Sequence, residues 1–319
     1  MLGLICNSDK HNLNSWIERI LSLDNVPKKQ HYVPQYYLRR FIDTGEGLWV
    51  YDRARKKKYK SCVGDVCERN HHYEMKAAQP RDWHGPFLLH GKTELKLSQI
   101  EAEQSDLLAR VDEQALSGRI NEKERRGIAW LVGHLVARHP NMLDDNPPDQ
   151  DALMSDPGVR AGYEILNEMG MGDEFDVLAQ GADQMVLALW RRKGTPTYFI
   201  KNDLERLRFH FISPKGEARF ITSSFPTLCN TTLREDGKEH IDDLMLPLSN
   251  TLAVVYDEEG PSSNMVVKVS DEYVIRRNAG HFVSVPVREQ ILAGRERDLD
   301  DAMRYAQRSM IGGFRGTRI

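Results

Sequence analysis

The strongest constraint on the fold is a pair of helical segments in the middle of the chain, separated by a short turn containing Gly118. Apolar residues of the first segment, which begins near Thr93, recur on one helical face: Leu97, Ile100, Leu107, Leu108, Val111 and Ala115. The second segment begins at Asn121, which forms a capping-box pattern with Glu124, and it ends near Pro140. Helices joined by so short a turn pack side by side, so the sequence predicts a helical hairpin.

Strand patterns lie on both sides of this hairpin. They cover residues 48–52 and 58–63 before it and residues 207–212, 218–223 and 251–256 after it, and a charged helical pattern covers residues 288–307. Further helices are expected at residues 14–23, 158–169 and 175–192. We therefore predict an α+β fold with short antiparallel strands at both ends. Its three regions are residues 1–92, 93–193 and 194–319, arranged as one compact unit or two lobes.

Composition narrows the class of protein. The chain is 40% hydrophobic and 29% charged, and it contains four cysteines in 319 residues. No apolar run approaches the roughly 20 residues that span a bilayer, and sparse cysteines are typical of a reducing compartment. We expect a cytoplasmic protein without a membrane partner. The sequence contains no phosphate-binding P-loop, dinucleotide fingerprint, HExxH motif or nucleophile elbow.

The segment from Gln30 to Phe41 concentrates polar chemistry around a proline. Pro34 suits the first turn of a helix, which would place His31 just ahead of the positive helix end. A neutral imidazole there, with Gln35 and Arg39 one and two turns downstream, suits work on a phosphate. The alternative is an amphipathic helix whose core face consists of Tyr37, Leu38 and Phe41.

Hairpin geometry predicts a second cluster. Residues equidistant from the turn face each other, so Glu101 on the first helix can meet Arg138 on the second. His134 lies one turn before Arg138 on the same helical face. These three residues form either a structural ion network or a second part of a site.

Positive charge is concentrated between Lys28 and Lys60, where ten basic residues face three acidic ones in a chain of net charge −3. Such a patch is typical of a surface that binds nucleic acid. The candidate substrate-binding residues are Tyr37, Arg40, Arg55, Lys56, Lys57 and Lys58. The alternative is a solvated hairpin turn.

The chain resembles the domain-of-unknown-function family numbered 4238 over about residues 28–285. The resemblance rests on His31-x-Val33-Pro34-x-x-Tyr37-Leu38-x-x-Phe41, on residues 47–52 (GLWVYD), on Glu101 and Arg138-His139-Pro140, and on residues 220–226 (FITSSFP) and 247–249 (PLS). Ser224 departs from the family pattern, which has an acid at this position. The family carries no established activity, so the resemblance indicates the boundaries of the domain rather than its chemistry.

Two hypotheses follow from these residues. The first is a ribonuclease-like phosphodiesterase, serving as a toxin or phage-defence effector, with His31, Gln35, Arg39, Glu101, His134 and Arg138 as catalytic residues. RNA is the favoured substrate, and no cofactor is indicated. Glu101 either holds Arg138 or, in a metal-dependent variant of the mechanism, binds a divalent cation. Zinc at Cys62, Cys67, His71 and His72 is a poor fit to the usual ligand spacing. The second hypothesis is a non-catalytic module that binds nucleic acid or a phosphorylated ligand.

Overall fold

The computed structural model describes residues 29–45, 47–70, 92–115, 117–140, 160, 164, 167–168, 196–234, 239–259, 266–284 and 289–311. Its contacts divide the chain into two compact units. In the first unit the described residues are 29–30, 69–70, 92–100 and the four positions between 160 and 168. The second unit comprises residues 31–68, 101–145 and 187–319, and all residues of the candidate site belong to it.

The described residues form an α+β fold, as predicted. The helices are α1 (Gln35–Leu38), α2 (Lys92–Ala115), α3 (Glu122–Ala137), α4 (Pro196–Arg206), α5 (Asp271–Ser284) and α6 (Glu296–Ile311), with 3-10 turns at Arg39–Phe41 and Val63–Asp65. The strands are β1 (Lys29–His31), β2 (Leu48–Asp52), β3 (Lys57–Ser61), β4 (Glu68–Asn70), β5 (Arg208–Pro214), β6 (Thr222–Ser223), β7 (Leu228–Leu233), β8 (Glu239–Pro247), β9 (Ala253–Asp257), β10 (Val266–Val269) and β11 (Gln290–Ala293).

The two central helices begin, turn and end close to the predicted residues. Asn121 caps α3, since its side-chain oxygen accepts from the backbone N–H of Lys123 at 2.8 Å and of Glu124 at 3.2 Å. The Glu124 carboxylate in turn accepts from the Asn121 backbone N–H, which completes the capping box. Gly118 supplies the positive φ of the turn, +64°. A Cβ at Gly127 would lie 2.8 Å from Leu107 Cδ2, so the two helices meet closely there.

A five-stranded sheet carries most of the C-terminal region in the order β10-β5-β9-β8-β7. The β10–β5 pair is parallel and the others are antiparallel. One face of the sheet buries Phe211 and Val254 in the core that also contains Leu131 of α3. The opposite face buries Ile212 and Val255 with Val274 of α5. Alternation along the strands thus places the sheet between two helical layers.

The second sheet has the order β3-β2-β11-β6 and corrects the prediction for residues 288–307. Residues Gln290–Ala293 form a strand antiparallel to β2, with Leu292 opposite Val50, and the helix begins only at Glu296. Their side chains are nearly all buried, so pairing with β2 overrides the helical pattern of the surrounding charged residues. Gly294 separates the strand from the helix.

Other helices and strands differ from the prediction in their bounds, or were not predicted. Only Thr222–Ser223 of the predicted strand 218–223 pairs with a neighbour, because Phe220 N–H donates instead to the carbonyl of Asn250 at 2.9 Å. The strand predicted at 58–63 runs from Lys57 to Ser61. Helices α4 and α5 and strands β1, β4, β7, β8 and β10 were not predicted. Helix 14–23 lies outside the described residues, as do helix 175–192 and most of helix 158–169. The three-region division of the chain stays a prediction.

Candidate functional site

The motif segment begins in β1, and Pro34, in an extended conformation, precedes the short helix α1 and a 3-10 turn. This helix has four residues, so it lacks the length on which the dipole argument for His31 depended. Its inward face matches the alternative interpretation, since Tyr37, Leu38 and Phe41 are fully buried. The Tyr37 hydroxyl donates to the Pro247 carbonyl at 2.6 Å. That placement leaves Tyr37 no surface for the predicted substrate contact.

Arg138 joins the motif to the helical hairpin. Its Nη2 atom lies 2.8 Å from Glu101 Oε1 and donates to the backbone carbonyl of His31 at 2.7 Å. The side chain of Arg138 is 3% exposed, whereas that of Glu101 is 28% exposed. The predicted pairing of Glu101 with Arg138 is therefore present, and the guanidinium also fixes the backbone of His31.

His134 belongs to the same network but is held by other partners. The Tyr36 hydroxyl donates to Gln104 Oε1 at 2.8 Å, and Gln104 Nε2 lies 2.6 Å from His134 Nδ1. Because the Gln104 oxygen already accepts from Tyr36, its amide nitrogen donates to Nδ1, which places the His134 proton on Nε2. Burial raises the pKa of Tyr36 well above its ordinary value, which keeps this hydroxyl a donor. His134 is a positioned neutral imidazole, and its Nδ1 has no capacity left for a substrate proton.

The His31 imidazole is half-buried and held from two sides. A ring N–H donates to the Gly64 carbonyl, and Gln35 Nε2 lies 3.4 Å from each ring nitrogen. The Gln35 oxygen accepts from Arg39 Nη2 at 2.8 Å, and Arg39 is exposed. Burial lowers the pKa of His31, and the Gly64 carbonyl and the carboxylates of Glu68 and Glu101 oppose that shift. His31, Gln35 and Arg39 thus form a continuous polar row that reaches solvent.

A buried cluster around His139 contacts the motif segment at Tyr32 and was not predicted. His139 Nε2 is 3.3 Å from Glu289 Oε1, and the Ser224 hydroxyl donates to the second Glu289 oxygen. The His139 ring makes edge contacts with the rings of Tyr32, at 5.8 Å, and Phe225, at 5.1 Å. Both Arg138-His139 and Ser224 lie in segments that carry the family resemblance, so that resemblance was the available signal. Glu289 lay outside every motif.

The remaining predicted substrate-binding residues fall into two groups. Arg40 and Lys58 are held in ion pairs, and the others are exposed. Arg40 donates to the Leu248 carbonyl at 2.5 Å and pairs with Asp112 at 2.6 Å. Lys58 contacts both Glu296 and Asp300 at 2.6 Å. Arg55 and Lys56 are exposed in the turn between β2 and β3, and Lys57 is exposed at the start of β3. Arg55 Nε lies 3.7 Å from Asp52.

A cavity of about 630 Å³ adjoins the network through Gln104, between α2 and α3. Its lining carries four carboxylates against three cations: Glu103, Asp106, Glu122 and Glu124 against Arg110, Lys123 and Arg126. That balance does not attract a polyanion. Over the described ranges, no cluster of three or more His, Cys, Asp or Glu residues has an arrangement that could hold a metal ion. No helix within those ranges is long and apolar enough to cross a membrane.

Comparison with protein families identifies a match. A family model described as "Protein of unknown function (DUF4238)" matches residues 29–284, most of the chain. The chain belongs to the DUF4238 family. The match extends from β1 to the end of α5, so it includes His31, Arg138, His139 and Ser224, and it ends before Glu289. No curated protein and no solved structure matches the chain.

Proposed function

We propose that this DUF4238 protein processes nucleic acid as a phosphodiesterase, with RNA the favoured substrate and His31 the general base. The observation that carries the proposal is the setting of the His31 ring. One ring nitrogen donates to the Gly64 carbonyl, Arg138 holds the His31 backbone, and the row of Gln35 and Arg39 continues to solvent. Burial keeps the imidazole neutral near pH 7, which is the state that accepts a proton.

Each residue of the row has a role in this chemistry. Gln35 Nε2 lies 3.4 Å from the ring nitrogens, and the attacking hydroxyl displaces this weak contact. His31 takes the proton of that hydroxyl as the new O–P bond forms, and the proton passes to the leaving oxygen as the old P–O bond breaks. Arg39 neutralises the charge that develops on the phosphate, and Gln35 orients the phosphate between the two. Glu101 and Arg138 act as positioning residues through the His31 backbone. A role as toxin or phage-defence effector stays a prediction.

The second candidate function is a module that binds nucleic acid or a phosphorylated ligand without turnover. It is favoured by the pairing of two of the candidate arginines, since Arg40 contacts Asp112 and Arg138 contacts Glu101. Each guanidinium that is already neutralised contributes less to stabilising a transition state. Arg39 is exposed and is connected to the His31 ring through Gln35.

Replacement of His31 by alanine distinguishes the two functions. Wild-type protein should cleave single-stranded RNA or total tRNA, and His31→Ala should lower the rate by about 100-fold or more, the usual contribution of a general base. RNA affinity should stay within about 2-fold, because the imidazole donates no charge to the phosphate at pH 7. The measurements are gel-based cleavage with and without EDTA, and fluorescence anisotropy.

His240→Ala is the matched control, since His240 is also half-buried and lies 3.6 Å from Asp203. It should cleave as the wild type does. Equal cleavage by wild type and His31→Ala would refute the role of His31. Retention of RNA without cleavage by any variant would establish the binding module.

A further inference from the structure

We propose that the outer edge of β3 is a docking track for single-stranded nucleic acid that leads to His31; this inference rests on the function proposed above. The track is defined by Lys56, Lys57 and Lys60. It is an interaction surface for the part of the substrate that lies beyond the reacting phosphate.

The topology connects the basic turn directly to the candidate site. Among the described residues, β3 is the outermost strand of its sheet and pairs only with β2. Its first residue follows Lys56, and its last residue leads into the 3-10 turn Val63–Asp65, whose Gly64 carbonyl accepts from the His31 ring. One uninterrupted stretch of backbone therefore runs from the exposed turn to the imidazole.

The charges along this stretch fall into two groups. Lys56, Lys57 and Lys60 are exposed, and none of the three has an acidic partner among the described residues. Lys58 instead contacts Glu296 and Asp300 of α6 at 2.6 Å each. The structure thus leaves three cations available for a polyanion and commits the fourth to the contact with α6, a division that the lysine run in the sequence does not reveal.

The length of the strand sets the size of the ligand. Five residues of extended strand span about 13 Å, which corresponds to about four nucleotides of a stacked single strand. Lys57 and Lys60 project from opposite faces of β3, so they flank its outer edge and can contact phosphates that lie along it. Each neutralised phosphate releases counterions. We infer that the substrate extends about four nucleotides from the reacting phosphate towards the turn between β2 and β3.

The test compares two charge-matched triple variants, both in the His31→Ala background to prevent cleavage. One replaces Lys56, Lys57 and Lys60 with serine; the control replaces Arg119, Lys123 and Lys215, which are exposed elsewhere on the chain. Anisotropy of short fluorescent RNA is measured over a series of potassium chloride concentrations. The track variant should reduce the slope of log affinity against log salt by about 2, at about 0.7 per lost phosphate contact, and the control should leave it unchanged.

Two further outcomes separate this inference from the proposed function. An unchanged slope in the track variant, or an equal change in the control, overturns the track even where wild-type protein cleaves RNA through His31. A reduced slope without cleavage by wild-type protein supports the track and refutes catalysis. An equal loss of affinity for duplex RNA overturns the assignment to single strands, and affinity that does not rise with length up to about four nucleotides overturns the geometry.

Discussion

Arg138 shows how a single residue links segments that are distant in the sequence. Its guanidinium, almost wholly buried, bridges the carboxylate of Glu101 and the backbone carbonyl of His31. A buried guanidinium is stable only where its hydrogen bonds are satisfied, and these two acceptors provide that satisfaction. The residue therefore contributes to stability directly and to any chemistry at His31 indirectly.

Replacing Arg138 by glutamine should lower the free energy of unfolding by about 3 kcal/mol, since it leaves a partly buried carboxylate without its cation. Urea denaturation of the purified variant measures this loss. Arg126→Gln is the control: Arg126 is 62% exposed and pairs with Glu122 one turn away, so its loss should cost less than about 0.5 kcal/mol. Equal stabilities for the two variants would contradict the bridging role of Arg138.

Ser224 also contacts a residue that is distant in the sequence. The family pattern has an acid at this position, and in this chain the Ser224 hydroxyl donates to the carboxylate of Glu289. The same carboxylate lies 3.3 Å from the His139 ring. A buried carboxylate is thus present beside His139 although the chain departs from the pattern, and Glu289 supplies it.

At the scale of elements, β11 organises the surroundings of the motif. It lies between β2 and β6, and the residue that follows it, Gly294, meets the end of the motif's 3-10 turn. A Cβ at Gly294 would overlap the Phe41 carbonyl and lie 2.9 Å from the Asp43 backbone nitrogen. Backbone atoms cannot move aside as a flexible side chain can, so this contact requires glycine.

Gly294→Ala should therefore lower the free energy of unfolding by about 2 kcal/mol, in the range of an overpacked core position. Chemical denaturation followed by circular dichroism measures the change. At Gly64 a Cβ would meet only Cys62 Sγ, at 3.9 Å, so Gly64→Ala should stay within about 0.5 kcal/mol of the wild type. A Gly294→Ala protein as stable as Gly64→Ala would show that the two segments separate without cost.

At the scale of the whole molecule, buried neutral histidines link stability to pH. His281 of α5 is fully buried, and its Nδ1 atom lies 3.1 Å from the Ser223 hydroxyl. Burial lowers the pKa of His281 to about 3. Below its ordinary pKa of about 6.5 the unfolded chain binds a proton that the folded protein excludes, so stability falls as the pH decreases.

For each unit by which the pH falls between about pH 6 and pH 4, protonation of His281 in the unfolded chain should lower the free energy of unfolding by about 1.4 kcal/mol. The Ser223 hydroxyl donates to the Phe225 carbonyl, so His281 Nδ1 donates to Ser223. His281→Gln removes the titrating group and keeps a donor for Ser223. A urea series at several pH values should give a shallower pH dependence for this variant, by about that amount. Parallel curves for the two proteins would mean that His281 titrates normally in the folded state.

The fold could be predicted where the pattern is local. The helical periodicity, the Asn121 capping box and the α+β class follow from residues that are neighbours in sequence, and hairpin symmetry brought Glu101 to Arg138. Strand β11 could not be predicted, because its conformation depends on pairing with β2, more than 200 residues earlier.

The candidate site divides in the same way. The sequence by itself indicated the polar side chains around Pro34 and the meeting of Glu101 with Arg138 across the helical hairpin. It did not indicate that Arg138 also contacts the His31 backbone. Only the tertiary structure decided that Tyr37 is core, that Lys58 is committed to α6, that Gln104 fixes His134 and that Glu289 meets His139. Periodicity specifies the face on which a residue lies, but burial and hydrogen-bond partners depend on segments that chain topology alone brings together.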